Sequence, residues 1–277
     1  MLLELEIGVR RLGVLLDFYR ALFLWVICLI TGRVFMFRWG YIKGDKCSRR
    51  FFYGVLVFVA AIVWIVLGRN LFRRMVGWDG LGVRSFYLVQ YYQNQESYDA
   101  SLLTGLSNRV GDVFVVFVLC RAGGLSRRRW QRCAGLRLII GAITKRAQFP
   151  FRAWLPAAIR APTPVSSLVH SSTLVTAGVY LLIRYGGPEV RDFLLMISLL
   201  TINVAGFRAI FEDDLKKVVA LSTLGHLSFI MLALRLGIPD LAIFHCLVHA
   251  LGKAGMFVCV GGLMSKQGGS QDARRVN

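Results

Sequence analysis

The chain has 277 residues, of which 56% are hydrophobic, and its mean hydropathy of +0.58 excludes an ordinary soluble domain. Its net charge of +19 would suit a nucleic-acid-binding protein. The arginines are scattered through apolar runs instead of covering one polar face, however, and we therefore expect no nucleic-acid partner. Because the runs also lack the alternation of barrel strands, they predict an all-α, polytopic transmembrane helical bundle in a lipid bilayer.

Several runs approach the length of about 20 apolar residues that a helix needs to cross a hydrocarbon core. The predicted spans cover residues 13–32, 51–68, 71–92, 101–121, 133–149, 163–184, 192–211, 217–236 and 240–264. Charged residues interrupt the third and fifth runs and weaken those two predictions. A short amphipathic lead, residues 1–12, precedes the first span, and a polar connector with Lys43, Asp45 and Lys46 follows it.

The third span contains an acidic residue, Asp79, within the glycine-rich sequence MVGWDGLGV. These glycines predict a helix that its neighbours approach closely. In the fourth span, Arg109 and Asp112 are three residues apart and lie on one face of a helix. We therefore expect Arg109 and Asp112 to form a structural ion pair.

The fifth span ends at a break rich in proline. Lys145 lies near the end of this span, and His170 lies in the apolar run that follows the break. The prolines of this region are Pro150, Pro156, Pro162 and Pro164. Because proline stops a helix, the pattern predicts Pro-broken helices, which are tolerated at membrane depth only where they line protein or a wet cavity.

The last span carries three ionisable residues at helical spacing. His245, His249 and Lys253 occupy positions i, i+4 and i+8, and so share one stripe of a helix. The sequence FEDDLKK, which precedes the eighth span, mixes acidic and basic residues at a predicted membrane border. We therefore interpret Lys216 and Lys217 as interface residues.

Ionisable groups inside a membrane generally face the bundle interior and mark ion or proton routes. The sequence thus predicts a proton relay of six residues in separate apolar segments, namely Asp79, Lys145, His170, His245, His249 and Lys253. Histidine titrates near neutral pH, and burial can bring lysine and aspartate toward that range. Each residue alone has a structural alternative: a hydrogen-bonded core histidine, a lysine that extends to the interface, or an aspartate that caps a helix.

The sequence gives no indication of a cofactor or a metal site. It contains no phosphate-binding glycine loop and no CxxC or four-cysteine pattern. His245 and His249 have the spacing of HExxH, but Cys246 holds the position of the glutamate, which argues against a zinc protease. We expect the cysteines to be small buried hydrophobic residues. They are Cys28, Cys47, Cys120, Cys133, Cys246 and Cys259.

Several segments resemble the antiporter-like membrane subunits of respiratory complex I, the NADH–ubiquinone oxidoreductase. They are GWDGLG, NRVGD, TKRAQFPFRAWLPAAIRAPTPVSSLVHSSTLVTAGVYLLIR, FEDDLKKVVALST, and FHCLVHALGKAGMFVCVGG with the later SQDAR. The core APTPVSSLVHSSTLVTAG is specific to this family, and NRVGD together with SQDAR points to its chain 5 branch. The likeness extends from residue 15, approximately, to residue 277.

The resemblance implies roles for the residues before and after the break. Asp79 would match the acidic residue of the family's GW(E/D)G sequence, which is a proton-transfer carboxylate. Lys145 would match the lysine of the broken helix that pairs with this carboxylate. His170 would match the histidine that leads from this half-channel toward the centre.

The resemblance extends to the last span and to the ion pair. Lys253 would match the central lysine of the next broken helix, with His245 and His249 on its approach. Arg109 and Asp112 would match a buried ion pair of the family.

The resemblance also implies a function. The chain would be a proton-translocating, multi-pass subunit of the mitochondrial inner membrane, in contact with other membrane-arm subunits of complex I. NADH, FMN, iron–sulfur clusters and ubiquinone would belong to other subunits, and this chain would hold no cofactor. Two alternatives stay open: a cation/proton antiporter subunit, and a non-functional fragment or pseudogene product.

The chain departs from the family in length and in arginine content. Family members are considerably longer, and we expect residues 1–277 to be an antiporter-like transmembrane domain, truncated relative to the family. Where this chain has Lys145-Arg146-Ala147-Gln148, the family usually has serine in the second position. Many invertebrate mitochondria read AGA and AGG as serine, and we hypothesise that part of the arginine excess is serine decoded with the standard code.

Overall fold

The computed structural model describes residues 17–42, 47–68, 71–120, 127–171, 174–185, 191–267 and 271–275. These residues form α-helices joined by short loops and 3₁₀ turns, which confirms the all-α prediction. The helices are α1 (Phe18–Tyr41), α2 (Ser48–Leu67), α3 (Leu71–Val89), α4 (Gln95–Cys120), α5 (Arg127–Lys145), α6 (Trp154–Ala157), α7 (Thr163–Ser171), α8 (Leu174–Tyr185), α9 (Arg191–Ile210), α10 (Leu215–Arg235) and α11 (Pro239–Lys266). The amphipathic lead at 1–12 and the charged connector residues Lys43, Asp45 and Lys46 lie outside the described residues.

Seven helical segments of the described residues are long and apolar enough to cross a membrane. They are α1, α2, α4, the combined α7–α8 segment, α9, α10 and α11. Each predicted span overlaps a helix, and α3 and α5 are the two long helices in which charges interrupt the apolar surface. The prediction of a multi-pass helical bundle is therefore confirmed.

Helix α1 is longer than predicted. The prediction ended the first span at residue 32 and made the next residues a polar connector, but the helix continues to Tyr41. The guanidinium of Arg38 explains the extension, because it donates to the Ser48 carbonyl at 2.6 Å and lies 5.1 Å from the centre of the Phe52 ring. These contacts hold the charge against the start of α2 and allow the helix to continue past it.

The break after the fifth predicted span is confirmed. Helix α5 ends at Lys145, and a turn that includes Ala147 at φ 52° leads to the short helix α6 and a 3₁₀ turn. The indole of Trp154 donates to the Thr144 carbonyl at 2.8 Å, which satisfies one of the carbonyls that a helix end leaves free. The break therefore leaves Lys145 at the end of a helix in the interior of the bundle.

Helix α7 occupies the centre of the bundle. Every residue from Thr163 to Ser171 is buried. Helix α7 packs against α1 and α11 and also contacts α3, α8 and α10. It therefore lies between two groups of helices, in which α3, α4, α5 and α8 pack together and α9, α10 and α11 pack together. His170 belongs to α7 and therefore lies at this centre.

Most of the cysteines are not buried. Cys28, Cys47, Cys120 and Cys259 are exposed free thiols, and Cys246 is buried. The side chain of Cys133 lies outside the described residues. The prediction of buried cysteines is therefore wrong for four of them. A thiol is a small apolar group, so it is tolerated on the outer face of a helix that meets lipid.

The glycines of α3 allow close packing against α2, as predicted. A Cβ atom at Gly77 would lie 2.7 Å from the Ala61 carbonyl oxygen and 2.7 Å from Ile65 Cγ1. A Cβ atom at Gly80 would lie 3.4 Å from its nearest neighbour, the Cβ of Ala61, which is an ordinary contact. The two positions therefore differ in how much space they leave.

Gly77→Ala is expected to destabilise the bundle by about 1–3 kcal/mol, because a backbone oxygen cannot move away as a side chain can. Gly80→Ala is the matched control, and we expect it to be neutral or slightly stabilising because alanine favours the helix. Thermal unfolding of the purified protein measures both. Equal midpoints for the two variants would show that α2 and α3 are not in close contact.

Candidate functional site

The ammonium of Lys145 forms a buried ion pair with Asp112. The side chain of Lys145 is 1% exposed, and its Nζ lies 3.3 Å from Asp112 Oδ1 of α4. The ammonium also donates to the Trp78 carbonyl of α3 at 3.1 Å and lies 5.0 Å from the centre of the Trp78 ring, which is a cation–π distance. Helices α3, α4 and α5 thus converge on one charged group.

Trp78 and Gly82 shape the surroundings of this pair. The Trp78 indole donates to Asp112 Oδ1 at 2.7 Å, so it fixes the carboxylate as well as the ammonium. A Cβ atom at Gly82, one turn further along α3, would lie 3.2 Å from Lys145 Nζ. The glycine-rich sequence of α3 therefore brings its backbone close to the ion pair.

Asp79 contacts Arg109 instead of Lys145. Asp79 Oδ1 accepts a hydrogen bond from Arg109 NH1 at 2.8 Å, and both side chains are about half exposed. No ion pair joins Asp79 to Lys145 in the part of the chain that the structure describes. The expected Asp79–Lys145 pair is therefore corrected to Asp112–Lys145. The reason is geometric, because Asp79 is rotated by about 100° around the helix axis from Trp78, which faces Lys145.

The Arg109 guanidinium also lies 3.6 Å from Asp112 Oδ2, and the Arg109 side chain is about half exposed. Arg109 therefore lies between two carboxylates, that of Asp79 at the surface and that of Asp112 in the interior. Asp112 is more than a structural partner of Arg109, because it is the carboxylate that faces Lys145. These side chains form one connected set of charges, which we call the Lys145 cluster: Asp79, Arg109, Asp112 and Lys145.

His170 is fully buried and has no hydrogen-bond partner within the described residues on either ring nitrogen. Its ring stacks on Phe257 of α11, with the ring centres 5.7 Å apart. Buried polar groups are almost always hydrogen-bonded, so a core histidine held by the protein would show at least one partner. The described residues therefore do not provide the partner that a hydrogen-bonded core histidine would have.

Helix α10 contributes a histidine that the sequence analysis did not select. The centre of the His226 ring lies 5.5 Å from those of both His245 and His249 of α11. His249 is buried, and neither of its nitrogens has a partner among the described residues. His226 Nδ1 and His245 Nε2 also lack one there. The rule that selected His170, an ionisable residue inside an apolar run, would have found His226 as well.

Lys253 continues this arrangement by one turn. Its Nζ donates to Ser222 Oγ of α10 at 2.7 Å. Ser222 and His226 are four residues apart on α10, and they face the predicted stripe of His245, His249 and Lys253 on α11. These five residues form a second polar set, which we call the histidine cluster.

Helix α7 packs against α3 of the Lys145 cluster and against α11 of the histidine cluster, and it carries His170. The interior thus contains two titratable clusters with a buried imidazole on the helix between them. Within the described residues, no group of three or more histidine, cysteine, aspartate or glutamate side chains could hold a metal ion. Chemically, the amine, carboxyl and imidazole groups can bind and release protons.

Comparison with known proteins places these residues in a family. Residues 68–277 match the family described as NADH:quinone oxidoreductase/Mrp antiporter, transmembrane. The matched region includes both clusters and His170. The chain belongs to this antiporter-like family. The resemblance seen in the sequence is thereby confirmed, and the Pro-broken region lies inside the matched residues.

Animal members of the antiporter-like family are similar to the chain over nearly its whole length. It is 43% identical to NADH-ubiquinone oxidoreductase chain 5 of Anopheles arabiensis, over 94% of this chain and 72% of that protein. It is 43% identical to the Locusta migratoria protein of the same name, over 94% of this chain and 48% of that one. It is 39% identical to the Caenorhabditis elegans protein of the same name, over 93% of this chain and 50% of that one. The chain spans about half the length of most of these relatives.

Solved structures give the same fold. The Mrp complex from a Dietzia species matches with a TM-score of 0.88 and 25% identity, over 97% of this chain and 32% of that one. The archaeal membrane-bound sulfane sulfur reductase matches with a TM-score of 0.84 and 20% identity, over 95% of this chain and 59% of that one. An identity this low supports the shared fold alone. The antiporter-like fold is therefore found in two differently named complexes.

Proposed function

We propose that the chain carries protons across the mitochondrial inner membrane as part of a membrane subunit of NADH–ubiquinone oxidoreductase. In this proposal, residues 1–277 are an antiporter-like transmembrane domain of a longer subunit. The other membrane-arm subunits of the complex are its partners. NADH, FMN, iron–sulfur clusters and ubiquinone are handled by other subunits, and this chain holds none of them.

The buried Lys145–Asp112 pair is the observation that carries the proposal. An ion pair that is 1% and 7% exposed needs a reason, because removing two charges from water is unfavourable. A lysine that alternates between ammonium and amine gives that reason, since its proton affinity then depends on the distance and charge of Asp112. A change in that distance converts energy released in another subunit into a change in proton binding.

The remaining predicted residues, together with His226, extend the path on both sides of this pair. His170 receives or supplies protons at the centre of the bundle through ring nitrogens that no described residue binds. His226, His245, His249 and Lys253 continue the path between α10 and α11. Asp79 acts through Arg109, which contacts both carboxylates of the Lys145 cluster.

A cation/proton antiporter subunit is the second candidate. The TM-score of 0.88 to the Mrp complex favours it, because that structure shares the fold over 97% of this chain. The identity to that chain is 25%, compared with 43% to the insect oxidoreductase subunits. The difference in identity supports the oxidoreductase as the first candidate.

Vesicles of the inner membrane that contain the full-length subunit separate the two candidates. We expect oxidation of NADH with ubiquinone as acceptor to drive proton translocation, and the amount per NADH to stay unchanged when choline replaces sodium. Proton movement that needs sodium and continues without NADH oxidation would support the antiporter instead. A pH-sensitive dye and NADH absorbance measure the two quantities in the same sample.

A further inference from the structure

Lys216, in the first turn of α10, is buried in the interior of the bundle. Lys216 is 3% exposed, and its Nζ donates to the Ala161 carbonyl at 3.3 Å. The adjacent acidic residues Glu212 and Asp214 form ion pairs with Lys217. No ion pair joins Lys216 to a carboxylate among the residues that the structure places. The interpretation of Lys216 as an interface residue is therefore wrong, whereas the partly exposed Lys217 fits it.

A buried ammonium with a single carbonyl partner leaves donors unused, because lysine has three N–H groups. Such a group is unfavourable inside a membrane protein unless it has a function. Lys216 differs in this respect from Lys145, which has both a carboxylate and a carbonyl partner. Structure alone therefore gives no reason for the burial of Lys216.

The Ala161 carbonyl connects Lys216 to α7. Ser166 Oγ lies 3.5 Å from the same carbonyl oxygen and donates to it. His170 follows Ser166 by four residues, so the two side chains lie one turn apart on the same face of α7. Lys216, Ala161, Ser166 and His170 are all buried. They form a polar row from the start of α10 to the centre of the bundle.

A charged pocket lies beside the outer end of this row. Its volume is about 370 Å³, compared with about 30 Å³ for a water molecule in the liquid, so it has room for several. Two of its lining residues, Arg160 and Lys217, are the chain neighbours of Ala161 and Lys216. The other charged lining residues are Glu96, Asp99 and Glu212. The pocket lies where α4 and α10 begin, which is at the end of two membrane spans.

The acidic lining residues exceed the basic ones, and both basic residues are neutralised. Arg160 forms an ion pair with Glu96, and Lys217 forms ion pairs with Glu212 and Asp214. Asp99 adds a further carboxylate to the lining. A cleft with an excess of one sign of charge concentrates the opposite ion, here hydronium.

We propose that Lys216 exchanges protons between this pocket and His170. The inference rests on the proposed proton-carrying function and adds a residue to its path. Lys216 does not itself line the pocket, so a hydronium ion there gives a proton through intervening water to the neutral amine of Lys216. The amine becomes an ammonium, and a water molecule remains in the pocket. The ammonium then releases a proton along the Ser166 hydroxyl to an imidazole nitrogen of His170, and the amine is restored. The same steps in reverse move a proton outward.

Three substitutions test this role in the assembled complex with the full-length subunit, in vesicles. Lys216→Met removes the exchange, and we expect protons translocated per NADH to fall to the level of a Lys145→Met complex. Lys216→Arg keeps the positive charge and the donor to Ala161 but does not release a proton, so we expect the same loss. Lys216→His can exchange protons, and we expect it to restore translocation with a changed pH profile. Lys266→Met, in the exposed last turn of α11, is the control and is expected to match the wild type.

The outcomes separate this inference from the proposed function. Normal translocation in Lys216→Arg would show that only the charge or the hydrogen bond of Lys216 matters, and the inference would be wrong. Normal translocation in Lys216→Met, together with loss in Lys145→Met, would overturn the inference and leave the proposed function intact. Normal translocation in both methionine variants would overturn the proposed function itself.

Discussion

Lys145→Met is expected to abolish proton translocation by the assembled complex while leaving helix insertion intact. Methionine has a similar length and fills the space of the lysine side chain, but it cannot bind a proton. A group that takes part in proton transfer contributes about 10²–10⁴-fold to such a step, so the loss should exceed tenfold. Dye-based proton translocation per NADH oxidised measures the loss, and protease protection of the full-length subunit measures insertion. Undiminished translocation would remove Lys145 from the mechanism.

The structure also predicts which carboxylate governs Lys145. Asp112→Asn should reduce translocation nearly as much as Lys145→Met, because Asp112 lies 3.3 Å from the ammonium. Asp79→Asn should reduce it less, because Asp79 acts through Arg109. A greater loss in Asp79→Asn than in Asp112→Asn would show that the family assignment of Asp79 as the direct partner is right and that the geometry is not.

A double-mutant cycle separates the charge pair from its surroundings. Removing one partner of a buried ion pair leaves the other charge uncompensated and costs about 3–5 kcal/mol. We therefore expect Asp112→Asn to lower the thermal unfolding midpoint of the complex, and Lys145→Met added to Asp112→Asn to recover part of the loss. Additive losses in the double variant would contradict a direct contact between the two side chains.

Arg146→Ser is expected to increase the amount of inserted, folded chain. Arg146 is fully buried; its guanidinium donates to the Leu227 carbonyl at 3.0 Å and to the Met231 sulfur, and its Nε has no partner among the described residues. Arg146 lies in the turn that follows α5, and a buried arginine without a carboxylate partner among the described residues is unfavourable inside a membrane protein. A Cβ atom at Gly178 would lie 2.8 Å from Arg146 Cγ, so the arginine side chain packs directly against the backbone of α8 at this glycine.

Arg146→Lys is the matched control for charge. It keeps the buried cation, so we expect its yield of inserted chain to stay close to that of the arginine form and below that of Arg146→Ser. A lower yield for the serine variant than for the lysine variant would show that the guanidinium contacts stabilise the bundle. Peptide mass spectrometry of the mature protein tests the decoding hypothesis separately, because serine at position 146 would appear as a change in peptide mass.

The burial of other arginines bears on the same hypothesis. Arg20 and Arg74 are each 2% exposed, and both have partners: Arg20 lies 3.6 Å from Asp17, and Arg74 donates to the Gly68 carbonyl at 2.8 Å. Arg146 differs from Arg20 because its two hydrogen-bond acceptors, Leu227 and Met231, carry no charge. We therefore expect the effect of a serine substitution to be larger at position 146 than at position 20.

The sequence by itself determined the membrane class, the helices and the spacing of ionisable residues within each helix. These properties are local, because apolar length decides whether a segment crosses lipid and the helical period decides which residues share a face. The stripe of His245, His249 and Lys253 and the contact of Arg109 with Asp112 were predictable for this reason. The break around Pro150 was predictable because proline disrupts a helix wherever the helix packs.

Only the tertiary structure decided which charged groups meet across helices. The choice of Asp112 over Asp79 depends on how α3 is rotated about its own axis, and a helical period leaves that rotation open. The contact of His226 with the α11 histidines depends on which faces of α10 and α11 pack together. The burial of Lys216 depends on the turn that brings Ala161 to the start of α10. Such contacts arise from packing between segments far apart in the chain, which local patterns of sequence do not fix.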